Sequence, residues 1–232
     1  MTVTLSKRLQ CLANKVEKGS VAADVGTDHG YIPAWLIQNN ICSRVIASDI
    51  REGPLQTAIN TAANAGVDKF IDFRLCAGLN KYSAEEIDIV IIAGMGGETV
   101  ISILEEAPWT KEKRLIIQPQ SKIPELRKWL YENGYSINDA ELVYDTGRIY
   151  LVWDASGCEN VKIPDSFIID NHLIEKQDRL LGAYLEGLIK RELKVLKGME
   201  KSRSVCREEF IQHKGFIEEL NRLKEETEKW QK

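Results

Sequence analysis

Two short segments carry the residue types best suited to binding a nucleotide. The first, DVGTDHG, covers residues 24 to 30, and the second, ASDI, covers residues 47 to 50. Each segment follows an apolar run typical of a buried strand. Glycine lets a backbone turn tightly and approach a ligand closely, and an acid at the end of a second strand can accept hydrogen bonds from ribose hydroxyls. The two segments therefore predict a site for a cofactor that contains a nucleoside.

The first segment favours S-adenosyl-L-methionine over a dinucleotide. It lacks the GxGxxG pattern that places a pyrophosphate at a helix N-terminus. S-adenosylmethionine has no phosphate and carries a sulfonium, an ammonium and a carboxylate. An acid two residues before the first glycine suits the positive end of this molecule, and the amides of the turn could meet its carboxylate. The cofactor residues predicted in these segments are Asp24, Gly26, Thr27, Gly30, Asp49 and Ile50.

The elements around these segments predict an α/β fold. Between about residues 20 and 155, short β-branched runs alternate with helical patterns, as in a parallel sheet covered by helices on both faces. The last two of seven runs are joined by the turn sequence of residues 145 to 147, which indicates an antiparallel hairpin. We therefore expect the seven-stranded, Rossmann-like sheet of a class I methyltransferase.

A second region begins after Gly157 and has helical composition without another proline after Pro164. Two domains are expected, residues 1–157 binding the cofactor and residues 158–232 forming an antiparallel helical coiled coil hinged between Lys197 and Arg207. The expected apolar stripes are Leu173, Leu180, Tyr184, Leu188 and Val195 on the first helix and Phe216, Leu220, Leu223, Thr227 and Trp230 on the second.

Charge and composition restrict the partners, the location and the kinds of site to be expected. The net charge of -4 argues against coating nucleic acid through overall charge, but residues 187–207 hold seven basic and two acidic residues. This run is either a solvated helix face or a phosphate-binding surface. No apolar stretch approaches the roughly 18 residues of a membrane span and the N-terminus lacks a secretory pattern, so a cytoplasmic location is expected. Five scattered cysteines without a CxxC pair suggest neither disulfides nor a metal site.

Three motifs carry a resemblance to one family. They are DVGTDHGYIP (residues 24–33), IAGMGGE (92–98) and IQPQ (117–120), and the opening LSKRL (5–9) and the C-terminal helices match as well. Together they resemble the bacterial tRNA (adenine(22)-N1)-methyltransferase family. The resemblance implies transfer of a methyl group from S-adenosylmethionine to N1 of an adenine in the D-arm region of certain tRNAs. It indicates tRNA as the partner and no obligate protein partner.

The chemistry of such a site assigns roles to its residues. Adenine N1 has a free lone pair, so positioning dominates, and a carboxylate near the adenine amino group would stabilise the cationic product. Asp28 is the candidate acid; alternatively it caps the next helix or binds the cofactor ammonium. His29 is expected to orient this carboxylate or to contact RNA; alternatively it is a structural hydrogen-bonding residue. Relatives commonly have an acid where Ala77 stands, which predicts weaker cofactor binding here. The remaining predicted cofactor residues are Ala77, Gly78, Leu79, Ala93, Gly94 and Met95.

The acceptor base must leave its pair before its N1 atom can react, which makes additional RNA contacts useful. Gln118, alternatively Gln120, is expected to hold the base, and Tyr31 to stack on it. The predicted RNA-binding residues are Arg8, Tyr31, Gln118, Lys190, Arg191, Lys194 and Lys197. Three other functions stay open: a noncatalytic RNA-binding module with a degenerate methyltransferase domain, a methyltransferase with another acceptor, and a nucleotide-binding oxidoreductase.

Overall fold

The computed structural model describes residues 1–164, 166–201 and 206–230. The chain divides into two compact units, Met1–Phe167 and Ile168–Lys232. This division lies ten residues after the boundary expected between residues 157 and 158. The roles assigned to the two domains stay predictions.

The first unit is built on one seven-stranded sheet with the order β3-β2-β1-β4-β5-β7-β6. Strands β1 to β5 are parallel, and β7 is antiparallel to both of its neighbours. The predicted class I methyltransferase sheet with a terminal hairpin is confirmed. The strands are β1 (Ala22–Val25), β2 (Val45–Asp49), β3 (Ile71–Leu75), β4 (Ile89–Gly96), β5 (Arg114–Ser121), β6 (Tyr135–Asp145) and β7 (Arg148–Gly157).

Five α-helices accompany this sheet, and their ends follow from local residue types. The Ser6 side chain accepts a hydrogen bond from the Leu9 amide at the start of α1, and α3 ends at Gly66 in the left-handed conformation. The helices are α1 (Lys7–Asn14), α2 (Tyr31–Gln38), α3 (Glu52–Ala65), α4 (Gly97–Glu106) and α5 (Ile123–Glu132).

The centre of the sheet determines where a ligand can bind. All residues of β1 and β2 are buried, because helices cover both faces of these strands. β1 pairs in parallel with β2 on one side and with β4 on the other, so the chain changes direction across the sheet at β1. Ligands of open α/β sheets bind at such a point, beyond the carboxyl ends of the strands.

The second unit consists of helices α6 (Asn171–Glu175), α7 (Leu181–Lys201) and α8 (Arg207–Trp230). His213 Nε2 of α8 lies 3.5 Å from a carboxylate oxygen of Glu192 on α7, and Lys224 further along α8 acts electrostatically on Glu186, earlier on α7. These contacts run in opposite directions along the two helices, which shows the expected antiparallel pairing. Residues 202–205 of the predicted hinge lie outside the described residues.

The apolar stripe of α7 differs from the expected one, since Leu173 lies on the separate helix α6 and Leu180 precedes the start of α7. Val195 is 45% exposed, whereas Leu196 is buried, and Ile189 is buried more deeply than Leu188. The expectation for Val195 was wrong because apolar residues occur here as adjacent pairs, so spacing alone does not choose which member faces the partner helix. Of the helices described, none has the length and apolarity to cross a membrane.

Candidate active site

A cleft of about 690 Å³ lies at the carboxyl edge of the central strands. Its walls come from α1, the turn after β1, the end of β2, the loop after β3, the end of β4 and the following helix α4. All predicted cofactor residues line it except Gly30, which packs against α3, and Leu79, which is 3% exposed. Both candidate catalytic residues, Asp28 and His29, also line it.

Asp24 places a buried carboxylate at the floor of the cleft. Its side chain accepts a hydrogen bond of 2.7 Å from Thr27 Oγ1. Burial raises the pKa of Asp24 from 3.8 to about 6, and the nearby charge of Asp49 adds to this effect. An acid that is costly to ionise in the free protein gains from a cation beside it. Asp24 therefore fits the positively charged end of S-adenosylmethionine.

Two glycines make the turn after β1 possible. Gly26 has φ +74°, and a Cβ atom there would overlap the terminal carbon of Met95. Gly30 has φ +68°, and a Cβ atom there would lie 2.8 Å from Cβ of Ala58 on α3. The turn is thus held between β4 and α3, so the floor of the cleft is formed in the free chain.

Three amides of this turn already have partners within the chain. Gly26 and Thr27 both donate to the carbonyl oxygen of Ser48, at 2.9 and 2.8 Å, and the Gly30 amide donates to the Thr27 carbonyl. The Asp28 amide lies 3.4 Å from Asp49 Oδ2. The amides of Gly26, Thr27 and Gly30 are thus used by the chain itself, and binding of the cofactor carboxylate by the turn amides stays a prediction.

Asp49 is placed for a ribose. It is 6% exposed, and its Oδ1 accepts a hydrogen bond of 2.9 Å from the Arg51 amide. A carboxylate oxygen has two lone pairs, so Oδ1 and Oδ2 each retain acceptor capacity toward the cleft. Ile50 follows and is 67% exposed, which leaves an apolar surface for the flat face of a base.

The loop after β3 offers backbone groups to the cofactor adenine. Ala77 is exposed in the cleft lining, and its methyl group cannot form a hydrogen bond. Gly78 has φ +49° and approaches Ile103 so closely that a Cβ atom would lie 3.0 Å from it. Neither Ala77 nor Gly78 has a polar side chain, so hydrogen bonds from these two residues to a ligand can come only from their backbone.

Two other residues of the turn after β1, Asp28 and His29, have exposed side chains in the cleft lining. Asp28 adopts φ +50°, its side chain is 62% exposed, and its carboxylate lies 3.5 Å from His29 Nε2. The rings of His29 and Tyr31 stack with centroids 5.5 Å apart. The N-cap of α2 is Gly30, which receives no side-chain cap, so the alternative that Asp28 caps this helix is excluded. Its role toward the adenine amino group or the cofactor ammonium stays a prediction.

Glycines at the end of β4 shape the floor of this exposed part. The register with β5 shifts between Ala93 and Met95, and Gly94 between them has φ +81°. A Cβ atom at Gly97 would lie 2.5 Å from the Lys122 carbonyl oxygen. The strand therefore bends and leaves room and backbone carbonyls where a base could enter.

Gln118 and Arg8 are linked. Gln118 is completely buried and its Oε1 accepts a hydrogen bond of 2.8 Å from Arg8 Nη1, while Arg8 lines the cleft. The expectation that Gln118 touches RNA directly conflicts with its burial in β5. Gln120, the alternative, does line the cleft.

The predicted basic residues of α7 are all exposed. Lys190, Lys194 and Lys197 follow at spacings of four and three and thus share one helix face. Lys190 pairs with Glu186 at 2.7 Å, and Arg191 lies 3.7 Å from Glu192. Their contact with RNA stays a prediction.

Sequence reasoning missed several residues of the lining. Thr99, Ser102 and Glu106 recur at helical spacing on α4, a signal visible in the sequence once Gly97 is taken as the helix start. Ser48, next to Asp49, was also missed. In the described ranges no group of His, Cys, Asp and Glu could hold a metal ion.

Comparisons with known proteins agree with this geometry. A family model described as a methyltransferase domain matches residues 5–153. The tRNA (adenine(22)-N(1))-methyltransferase of Bacillus subtilis (strain 168) is 37% identical over 150 residues, which are 64% of this chain and 63% of that protein. The match thus spans slightly less than two thirds of that relative's length.

Solved structures extend the similarity to nearly the whole chain. The crystal structure of the B. subtilis m1A22 tRNA methyltransferase TrmK has a TM-score of 0.78 and 27% identity, covering 98% of each chain. A Streptococcus pneumoniae protein in complex with S-adenosyl-L-methionine has a TM-score of 0.80 and 26% identity, covering 94% of this chain and 99% of that one. The chain belongs to the family of proteins that contain this methyltransferase domain.

Proposed function

We propose that the protein methylates N1 of adenine 22 in the D-arm region of tRNA, with S-adenosylmethionine as the methyl donor. The observation that carries this proposal is the division of one cleft into two kinds of surface. Asp24 and Asp49 are buried in one part of its lining, whereas the side chains of Asp28, His29 and Tyr31 are exposed in the adjoining part. The names of the similar proteins from B. subtilis support the substrate and the atom.

The reaction asks for positioning more than for proton transfer. When bound, S-adenosylmethionine supplies the methyl group on a sulfonium. The chain holds the positive end of this cofactor with Asp24 and its ribose with Asp49. Since adenine N1 carries a free lone pair, no base has to act before the transfer, and correct alignment of the reacting atoms lowers the barrier.

Asp28 is the group best placed to act on the adenine. Its exposed carboxylate can accept a hydrogen bond from the exocyclic amine, where positive charge develops during the transfer. His29, 3.5 Å away, holds this carboxylate in place. The stacked rings of His29 and Tyr31 offer a flat surface for a base that has turned out of its helix.

The exposed basic face of α7 supplies a second contact with tRNA. Lys190, Lys194 and Lys197 lie on one side of this helix and can neutralise phosphates despite the net negative charge of the chain. Replacing these three lysines by glutamine should weaken tRNA binding and lower its salt slope by about three, with cofactor affinity unchanged. An unchanged salt slope would show that this face is solvated and does not bind phosphates.

Transfer of labelled methyl groups to unmodified tRNA transcripts, followed by nucleoside analysis, tests the proposal. We expect 1-methyladenosine at position 22. Asp28→Ala should lower kcat by about 100-fold with the cofactor Kd unchanged, whereas Asp68→Ala, an exposed acid outside the cleft lining, should have no effect. Cofactor binding without transfer to any tRNA would refute the proposed substrate.

A further inference from the structure

Arg8 is held at the edge of the cleft by three different strands. Its Nη1 donates to Gln118 of β5, and its guanidinium lies over the ring of Tyr150 of β7, 5.4 Å from the centroid. Its backbone amide donates to Asp145 at the end of β6, at 3.1 Å. An exposed arginine ordinarily samples many rotamers, so this degree of anchoring fixes the direction of the guanidinium.

The contacts of Gln118 indicate one structural role, which is to anchor Arg8. It is fully buried at the end of an apolar run, where an unpaired amide would be costly. Its Nε2 donates to the Pro119 carbonyl at 2.9 Å, which sets the orientation of the amide and turns Oε1 toward Arg8. A buried polar side chain thus specifies the position of one cation in the cleft lining.

The anchored guanidinium keeps donors free for a ligand. It has five N–H groups, and the bond to Gln118 is its only side-chain hydrogen bond within the described part of the chain. The amides of Gly26 and Thr27 are occupied by the Ser48 carbonyl. The other arginine of the lining, Arg51, lies 4.0 Å from Asp49, at the ribose position.

We propose that Arg8 binds an oxyanion in the cleft and that Gln118 is the positioning residue that holds Arg8 for this contact. The fork of N–H groups suits a carboxylate or a phosphate equally well. Two sources meet this chemistry: the carboxylate of the cofactor and a phosphate of the acceptor nucleotide. The second source rests on the proposed function, and the first requires only that the cofactor binds.

Binding measurements on the full-length protein test this assignment. The variants are Arg8→Ala, Gln118→Leu and the combination of both, with Arg44→Ala as the matched control. Arg44 precedes β2 at the opposite edge of the sheet and pairs with Asp72, so its loss changes the net charge equally without touching the cleft. Calorimetry uses S-adenosylhomocysteine and 5′-methylthioadenosine, which lacks the carboxylate, and tRNA binding is measured over a range of salt concentrations.

A cofactor carboxylate at Arg8 gives one pattern and a phosphate gives another. In the first case, Arg8→Ala raises the Kd for S-adenosylhomocysteine about tenfold and leaves that for 5′-methylthioadenosine unchanged. In the second case, the affinities for S-adenosylhomocysteine and 5′-methylthioadenosine are unchanged. Binding of tRNA weakens about tenfold, and its salt slope falls by about one. Either pattern supports the assignment of an oxyanion to Arg8.

The double variant tests the role of Gln118. Because Gln118 acts through Arg8, Gln118→Leu should weaken binding of the same ligand severalfold in the wild-type background. In the Arg8→Ala background it should cause no further loss of affinity. If Gln118→Leu does not fold, Tyr150→Leu at a partly exposed position removes another support of the guanidinium and should weaken the same ligand.

Three results would overturn the proposal. Unchanged affinities for all three ligands in Arg8→Ala would remove the oxyanion contact. Additive losses in the double variant would show that Gln118 does not act through Arg8. An equal loss of affinity in Arg44→Ala would show that the effect comes from the change in net charge. A wild-type protein that binds the cofactor but does not methylate tRNA would refute the proposed function and leave the S-adenosylhomocysteine comparison to decide this assignment.

Discussion

The two sides of the cleft differ in how firmly the chain itself holds them. On the cofactor side, Asp24 and Asp49 are 4% and 6% exposed, and Gly30 is enclosed by α3. On the acceptor side, the side chains of Asp28 and His29 are 62% and 54% exposed. Backbone hydrogen bonds and close packing fix the first side, whereas side-chain contacts at the surface define the second.

This difference separates two ways of preparing a site. The cofactor side is formed before any ligand arrives, so its binding costs little ordering but its buried acid destabilises the free protein. In the proposed function, the acceptor side lies open to tRNA, whose binding would complete it. Changes on the cofactor side should therefore affect stability and cofactor affinity together, and changes on the acceptor side should affect only tRNA.

The largest effect is expected from Gly30→Ala on the cofactor side. A Cβ atom at φ +68° and 2.8 Å from Ala58 combines backbone strain with a clash, about 3 kcal/mol of unfolding free energy in total. Urea unfolding measures this loss. Gly66→Ala has φ +72° but meets nothing within 4 Å, so it should cost only about 1 kcal/mol. Equal losses in both variants would mean that packing against α3 does not fix the turn.

Asp24→Asn should stabilise the free protein and weaken cofactor binding. Folding raises the pKa of Asp24 from 3.8 to about 6, so the folded chain holds this proton more tightly than the unfolded chain. The contribution of this group to stability is therefore complete below pH 3.8 and falls as pH rises to about 6. The loss above pH 6 is about 3 kcal/mol, which the amide avoids.

Urea unfolding of the free protein at pH 4 and pH 7.5 measures this difference for Asp24→Asn, and calorimetry follows the cofactor. The gain in unfolding free energy should occur only at pH 7.5, with a cofactor Kd raised about tenfold or more. For the wild type, the Kd should rise as pH falls below 6. The same gain at both pH values would show that ionisation of Asp24 is not what destabilises the free protein.

Tyr31→Leu examines the acceptor side. If the ring stacks on the target base, its loss should raise KM for tRNA about tenfold and leave the cofactor Kd unchanged. Tyr144→Leu is the matched control, because Tyr144 is 52% exposed and does not line the cleft. A change in cofactor affinity with Tyr31→Leu would contradict the separation of the two sides.

The smallest effect is expected from Ala77→Asp. A carboxylate at this exposed position can accept a hydrogen bond from the cofactor adenine and should tighten binding about fivefold in calorimetry. Asn80→Asp adds the same charge at an exposed site outside the cleft lining and serves as the control. Absence of a gain would contradict the prediction that Ala77 weakens cofactor binding.

The sequence predicted the strands and the acids at their ends, because parallel strands covered on both faces are continuous apolar runs. The acids Asp24 and Asp49 follow such runs directly, so local pattern sufficed to place them at one edge of the sheet. The burial of Gln118 was also open to prediction, since it continues the run of Leu115 to Ile117.

Long-range pairings could not be predicted in this way. The bond between Arg8 and Gln118 joins residues 110 positions apart, and no local periodicity reports it. The Gly26 and Thr27 amides bond to the Ser48 carbonyl only because the turn packs closely against β2. For α7, the choice between Val195 and Leu196 is made by the partner helix rather than by spacing.

The anchoring of Arg8 also bears on the order in which the chain folds. β1 can be placed between β2 and β4 once residue 96 has been synthesised. Arg8 reaches its position only after Asp145 and Tyr150 have left the ribosome, because its partners lie on the last strands of the sheet. Arg8, which precedes every strand of the sheet, is thus among the last residues in its unit to reach its native contacts.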